Sequence, residues 1–312
     1  MRVFLAGATG VIGRRLLPRL LEAGHDVTAM TRSEDRAAAL REAGAVPAVC
    51  DVFDGERVRA AVERAQPEVV VHELTDLPPA LDPRKMEEQL AGNDRIRTEG
   101  TRNLVAAAAA AGARRIVAQS IAFAYAPTGE GLKREQDPLW DDAPWPWSRS
   151  VAALRELEGD VTETEGIEGV VLRYGFFYGP GTAYGPGGYF EREVRRRRFP
   201  VAGKGTGTFP FIHIDDAAEA TVAAVARGAP GIYNVVDDEP APLREWLPVY
   251  AEAIGAKRPW RVPRFLARLL AGEYAVMLAT ELRGASNERA KAELDWEPRH
   301  ASWRQGFSEA LD

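Results

Sequence analysis

The chain opens on a strand-like run, RVFLA at residues 2–6, and turns at once into GATGVIG, which sets Gly7, Gly10 and Gly13 three residues apart. A helical pattern follows, with Leu16, Leu17, Leu20 and Leu21 spaced to share one face. Few folds admit a strand, a glycine-rich turn and a helix in immediate succession. Residues without a side chain let main-chain N–H groups close on a diphosphate, and a helix N-terminus adds a favourable partial charge. The spacing is G-x-x-G-x-x-G rather than G-x-G-x-x-G, and the same physics applies to both. Its place at the head of an alternating chain makes nucleotide binding the reading, against the alternative of a tight turn with no ligand.

The alternation continues. DVTAMT, VPAVC, EVVVHE, RIVAQS and GVVLRYG read as strands, and SEDRAAALREAG, GERVRAAVERA and TRNLVAAAAAAGA read as helices between them. Strand and helix in regular alternation predict a parallel sheet covered on both faces. Pro18 is a misfit, since proline inside a helix costs about 3 kcal/mol or forces a kink. After Gly175 the texture changes to FFYGPGTAYGPGGYF, which reads as a long functional loop. GIYNVV is expected to return to the sheet, and the remainder is mostly helical.

Composition narrows the function classes. The formal net charge of −6 argues against a general nucleic-acid or anionic-membrane surface. The run Arg195 to Arg198 is the exception, read as a solvated helix end with an anion contact as the alternative. A single cysteine, Cys50, allows no intrachain disulfide, and its apolar surroundings predict a buried thiol. The histidines at 25, 72, 213 and 300 form no spaced ligand set, so no metal is expected. The N-terminus reaches glycine too soon for a signal peptide, and no apolar stretch reaches about 18 residues. A cytoplasmic protein without a membrane span is the expectation.

The second strand ends on Thr31 and Arg32 where NAD-selective proteins carry an acid. A guanidinium pairs well with a 2′-phosphate, which favours NADP, with NAD as the alternative. Glu34 and Asp35 lie close enough to oppose a phosphate, and Arg14 or Arg15 to assist it. Asp51, just past the third strand, is placed to accept from an adenine amino group or to cap the next helix.

GATGVIG, CDVFD, EGTRNLVAAAAAAGARRIV, LRYGFFYGPG, FIHIDDAAEA and YNVVDDEP occur in the order seen in the extended short-chain dehydrogenase/reductases, also called the NAD-dependent epimerase/dehydratase family. The chain resembles that family over nearly its whole length. The resemblance implies an α/β fold with a Rossmann-type doubly wound parallel sheet, from residues 1–174 and 211–236. It also implies a small, mostly helical substrate domain from 175–210 and 237–312, with the site between the two. Cofactor contacts are implied for Gly7, Thr9, Gly10, Val11, Ile12, Gly13, Arg32, Asp51, Val52 and Tyr178. Family habit points to a homodimer through the helices around 83–112 and 149–163.

Members of that family transfer protons with Tyr-x-x-x-Lys on the helix after the fifth strand, helped by a Ser or Thr at that strand's end. None of the chain's lysines (85, 133, 204, 257, 291) has tyrosine four residues before it. Anchoring on Glu158 puts Ser150 and Leu154 at the two positions, and anchoring on Glu156 puts Ser148 and Ala152 there. The helper aligns with Ser120 or Ile121, and Arg97 stands where the family usually has asparagine. The candidate replacements are Tyr125, Tyr178 and His72, with Ser120 as helper. Tyr174 and Tyr184 are weaker ones, and His213 and Asp215 are read as structural.

Three outcomes follow: a non-standard proton donor, a substrate that needs no strong acid, or dinucleotide binding without turnover. Phe176, Phe177, Tyr184, Tyr189 and tryptophans 140, 145 and 147 suit a planar apolar substrate, and Lys204 adds a polar group. The reading adopted is an NADP-dependent oxidoreductase acting on a small organic molecule, aromatic or conjugated. A non-catalytic NADP-binding or sensing protein and a nucleotide-sugar epimerase/dehydratase are the alternatives.

Overall fold

The computed structural model describes residues 1–78, 80, 82 and 85–309. From the N-terminus, β1 (Arg2–Ala6), α1 (Gly13–Glu22), β2 (Asp26–Thr31), α2 (Glu34–Glu42), β3 (Val46–Val49), α3 (Gly55–Ala65) and β4 (Val69–His72) alternate as the sequence predicts. α4 (Met86–Arg95), a π-turn (Ile96–Gly100) and α5 (Thr101–Ala110) run on as one helical rod. β5 (Arg115–Ile121), α6 (Trp147–Thr162) and β6 (Glu168–Tyr174) follow. Beyond them come β7 (Phe176–Tyr178), α7 (Tyr189–Arg195), β8 (Val201–Ala202), β9 (Thr208–Phe209), β10 (Phe211–His213), α8 (Ile214–Ala226) and β11 (Gly231–Val235). The last elements are β12 (Ala241–Pro242), α9 (Leu243–Ala253), β13 (Arg261–Val262), α10 (Arg264–Glu281), α11 (Glu288–Leu294) and α12 (Trp303–Glu309).

Seven strands pair in the order β11-β6-β5-β4-β1-β2-β3, every pair parallel. The strand order reverses between β1 and β4, and in such sheets the crevice outside the strand ends at the reversal is where ligands bind. Side-chain alternation splits the core. Leu5, Val69, Val71, Leu172 and Tyr174 pack on the face covered by α1 and α8. Phe4, Ala6, Val70, Ile116 and Val171 pack on the opposite face with α3, α5 and α6. The buried side of α1 is Leu16, Leu17 and Leu20, with Leu21 at its edge. Pro18 lies within α1 on its exposed side, where water can satisfy the Arg14 carbonyl it leaves unpaired.

The segments 175–210 and 237–312 supply most of a separate aromatic core around Tyr178, Tyr184, Trp246, Trp303 and Phe307, which Phe211 of β10 joins. Ala290, Leu294 and Trp296 pack instead on the α1/α8 face of the sheet. The glycine-rich loop is anchored by its aromatic side chains, with Pro180, Gly181, Ala183, Pro186 and Gly187 exposed between them: Tyr184 is 5% exposed and stacks on Phe190 at 4.3 Å. Cys50 is buried, and burial pushes its thiol up to about 11. No helix among the described residues is long and apolar enough to cross a membrane.

Candidate active site

The first turn after β1 is shaped by contacts that exclude a side chain. Gly7 has φ +98°, and a methyl there would lie 2.5 Å from the Glu73 carbonyl oxygen. A methyl on Gly13 would lie 2.1 Å from the Gly7 carbonyl oxygen, so α1 starts hard against the loop only because that position is bare. Gly10 N donates to Gly7 O at 2.9 Å and closes the turn. Gly7, Thr9 and Gly10 form one wall of a cleft whose far side is Thr31, Arg32 and Arg36, with Glu73, Leu74 and Thr75 from the end of β4 as its floor. A bare-glycine wall at a helix start, facing two guanidinium groups, fits a dinucleotide diphosphate with a further phosphate on the adenosine side.

Of the residues expected at the cofactor, Gly7, Thr9, Gly10 and Arg32 line this cleft. Gly13 supports it from beneath, Ile12 is buried in the core under the loop, and Val11 is exposed at its rim. Asp51 and Val52 lie beyond it: Asp51 Oδ1 accepts from Phe53 N at 3.0 Å, and the Val52 carbonyl accepts from Asn103 Nδ2 at 2.9 Å. Asp54, not Asp51, caps α3, accepting from Arg57 N at 3.1 Å. Arg36 was not anticipated. It lies in the first turn of α2, whereas Arg32 precedes the helix, and its Nη1 reaches Thr9 Oγ1 at 3.5 Å.

Glu73 is the second residue the sequence reading missed. It is 2% exposed, Tyr174 OH donates to its Oε1 at 3.0 Å, and its Oε2 has no partner among the described residues. Burial pushes its carboxyl up to about 8, and the Tyr174 hydrogen bond lowers it only in part. His72, the expected occupant of this place, has the opposite parity. It points to α5, where its Nε2 meets Thr101 Oγ1 at 3.0 Å, and burial pushes it down to about 4. His72 is therefore a neutral buried histidine rather than a group facing the crevice.

Ser120 and Tyr125 are tied into one buried network. Ser120 Oγ donates to Glu158 Oε1 at 2.7 Å, and Glu158 pairs with Arg173 at 2.6 Å. Arg173 Nη1 donates to Tyr125 OH at 2.8 Å, and Tyr125 OH donates to Asn234 Oδ1 at 2.7 Å. Burial pushes the Tyr125 phenol up to about 12. Its hydroxyl is committed to the interior rather than to the cleft. Tyr178 is also displaced from the expected place. It is fully buried behind α12, where a methyl on Gly306 would lie 2.2 Å from its ring, and burial raises its pKa.

The two glutamates of α6 differ in their surroundings. Glu158 is buried and paired, whereas Glu156 is exposed and pairs with Arg102. Ser150 and Leu154, the pair that an anchor on Glu158 selects, are both fully buried. Nearby, Phe123 stacks on Phe176 at 4.0 Å and lies parallel to Trp147 at 6.4 Å, and Trp147 meets Tyr274 at 5.1 Å. Trp145 is 60% exposed and Lys204 is exposed, so neither belongs to this aromatic array.

Two of the four histidines do meet. His213 and His300 stack at 3.8 Å beside Asp216, with candidate ligand atoms within 4.8 Å of one another. The carboxylate of Asp216 already accepts from Arg299 N, His300 N and His300 Nδ1. His213 Nδ1 accepts from Asp215 N at 3.2 Å, capping α8. Stacked rings aim their lone pairs side by side rather than at one point, so the cluster reads as a strut fixing the 299–300 turn to α8.

A parallel sheet with a glycine-walled cleft at its reversal defines a dinucleotide-binding Rossmann protein. Residues 3–235 match the NAD dependent epimerase/dehydratase family, and the chain belongs to that family. It is an oxidoreductase using a nicotinamide dinucleotide. A Streptomyces protein named 3-diazoavenalumate denitrifying reductase is 48% identical over 308 residues, covering 98% of this chain and 99% of its own. A 2-alkyl-3-oxoalkanoate reductase of Stenotrophomonas maltophilia is 26% identical over 83% of this chain and 77% of its own. Among solved structures, a UDP-glucose 4-epimerase of Thermotoga maritima with UDP-glucose superposes with a TM-score of 0.77 at 20% identity, covering 100% of this chain and 97% of its own. That last likeness is one of fold.

Proposed function

We propose that this chain is an NADP-dependent reductase that removes a diazo group from a planar aromatic substrate. The observation that carries the reading is that no lysine of the chain has a tyrosine four residues before it, so the proton-transferring pair of the family has no match in the sequence. A reaction that moves no proton has no use for that pair. Bound in the cleft, the reduced nicotinamide supplies a hydride, and hydride plus an aryl diazonium cation gives the arene and dinitrogen with no proton exchanged. The name of the Streptomyces relative, matched end to end, supports this substrate class.

The chain's own residues then have limited tasks. The glycine wall and the start of α1 hold the diphosphate, and Arg32 and Arg36 select the 2′-phosphate. Phe123, Phe176, Trp147 and Tyr274 orient a flat ring and exclude water, which would otherwise add to the diazonium carbon. The test is NADPH oxidation by the purified protein with 4-carboxybenzenediazonium, with dinitrogen collected. One dinitrogen per NADPH, at a rate well above the protein-free mixture, is the expected result. A rate equal to the protein-free mixture, with a ketone reduced instead, removes the proposal.

A further inference from the structure

Three buried polar groups without partners among the described residues and one weakly paired guanidinium lie on α4, the π-turn and α6, which pack together. Asn93 is 1% exposed, and its Oδ1 accepts from Asp76 N at 3.1 Å, which leaves Nδ2 as the group lacking a partner. Trp147 Nε1 and Ser150 Oγ are buried at 4% and 0% exposure and are equally unpaired among the described residues. The fourth is Arg97, whose side chain is 11% exposed. Its one ion pair is with Asp94 Oδ1 at 3.7 Å, too long for a hydrogen bond, and its guanidinium donates to no described residue. Asp94 spends its other oxygen on Arg149 at 2.9 Å, so two guanidinium groups face one carboxylate here.

Donors outnumber acceptors in this set, whose one acceptor without a hydrogen bond to a described residue is Asp94 Oδ1. Arg97, Asn93 Nδ2 and Trp147 Nε1 can only donate, and Ser150 can donate. Buried donors left without acceptors are rare and call for an occupant. Several donors around a cation whose carboxylate partner is 3.7 Å away and shared with Arg149 suit an anion with more than one oxygen. The position is also informative. Trp147 belongs to the aromatic array, Tyr274 lies against it at 5.1 Å, and Ser150 is one of the pair that an anchor on Glu158 selects.

We propose that this interface binds the carboxylate of the substrate, with Arg97 as its counter-ion and Asn93, Trp147 and Ser150 as supplementary donors. The inference deepens the diazo-arene reading and rests on it for the ring beside the carboxylate. The name 3-diazoavenalumate denotes a carboxylate anion, in keeping with such a subsite. Arg97 fixes one end of the molecule while the aromatic side chains hold its plane.

The test is calorimetric titration of the NADP-loaded protein with trans-cinnamate and with its methyl ester. Wild type should bind the acid about 10- to 100-fold more tightly than the ester. Arg97→Met should bind the two alike, with unchanged NADPH affinity. Trp147→Phe keeps the ring and removes the N–H, and should weaken the acid several-fold, which covers the case of an unfolded Arg97→Met. The subsite is overturned if wild type binds neither ligand or binds both equally, if Arg97→Met keeps the preference, or if Trp147→Phe binds the acid as tightly as wild type. Preference for the acid without dinitrogen release would leave the anion subsite and remove the diazo reaction. Equal turnover of diazonium substrates with and without a carboxylate would do the reverse.

Discussion

Tyr125→Phe separates a structural phenol from a catalytic one. In the folded chain its hydroxyl donates to Asn234 Oδ1 at 2.7 Å and accepts from Arg173 Nη1 at 2.8 Å. Asn234 is fully buried, so its carbonyl oxygen finds no water when the phenol is removed. Arg173 Nη1 retains the Glu135 carbonyl at 3.2 Å and loses the better of its two bonds. One orphaned neutral acceptor and one weakened charged donor together cost about 2–4 kcal/mol. At about 2–4 °C per kcal/mol for a chain of this order of size, the melting temperature should fall by about 4–16 °C. Turnover per folded molecule, measured well below the new transition, should stay within about twofold, because the hydroxyl reaches no substrate. A general acid contributes about a hundredfold or more. A variant with unchanged melting and a hundredfold lower kcat would refute the reasoning and make Tyr125 the proton donor.

The remaining predictions address the cleft and its ionisation. Gly13→Ala places a methyl 2.1 Å from the Gly7 carbonyl oxygen and should weaken NADPH binding by about 10- to 100-fold in a fluorescence titration. Arg32→Ala and Arg36→Ala should each weaken NADPH by about 10-fold or more and leave NADH unaffected, and an unchanged NADPH/NADH ratio in both would remove them as phosphate readers. His72 and His213 are held neutral, with folded pKa values near 4 against an ordinary 6.5. Their contribution is therefore present above 6.5 and lost as pH falls toward 4, about 3 kcal/mol for His72 and less for the partly solvent-screened His213, so urea midpoints should drop over that window. Glu73 runs the other way, its stabilisation present at low pH and lost as pH rises through about 8, and Glu73→Gln should flatten that alkaline limb.

Much of the fold was legible because its signals are local. Gly7, Gly10 and Gly13 mark the first turn, and apolar alternation marks the strands around it. The misplacements share a different cause. His72 was assigned the crevice, but strand parity sends it to α5 and gives the crevice to Glu73 one residue on. Tyr178 follows a recognisable motif, yet α12 closes over it, and nothing near residue 178 signals that covering. Glu156 and Glu158 look alike in sequence, and only Arg173, from the next strand, shows which of them is buried and paired inside. Arg36 was within reach, since it lies in the first turn of the helix that follows Arg32 and so beside the same cleft. The unpaired group around Arg97 emerges only when α4, the π-turn and α6 are brought together.

The central claim is that the reaction moves a hydride and no proton. NADPH deuterated at its transferable position, incubated with the protein and an aryl diazonium carboxylate in ordinary water, should place one deuterium on the carbon that loses nitrogen. Unlabelled NADPH in heavy water should leave that carbon carrying protium. Deuterium drawn from heavy water at that carbon, with none from the cofactor, would contradict the account.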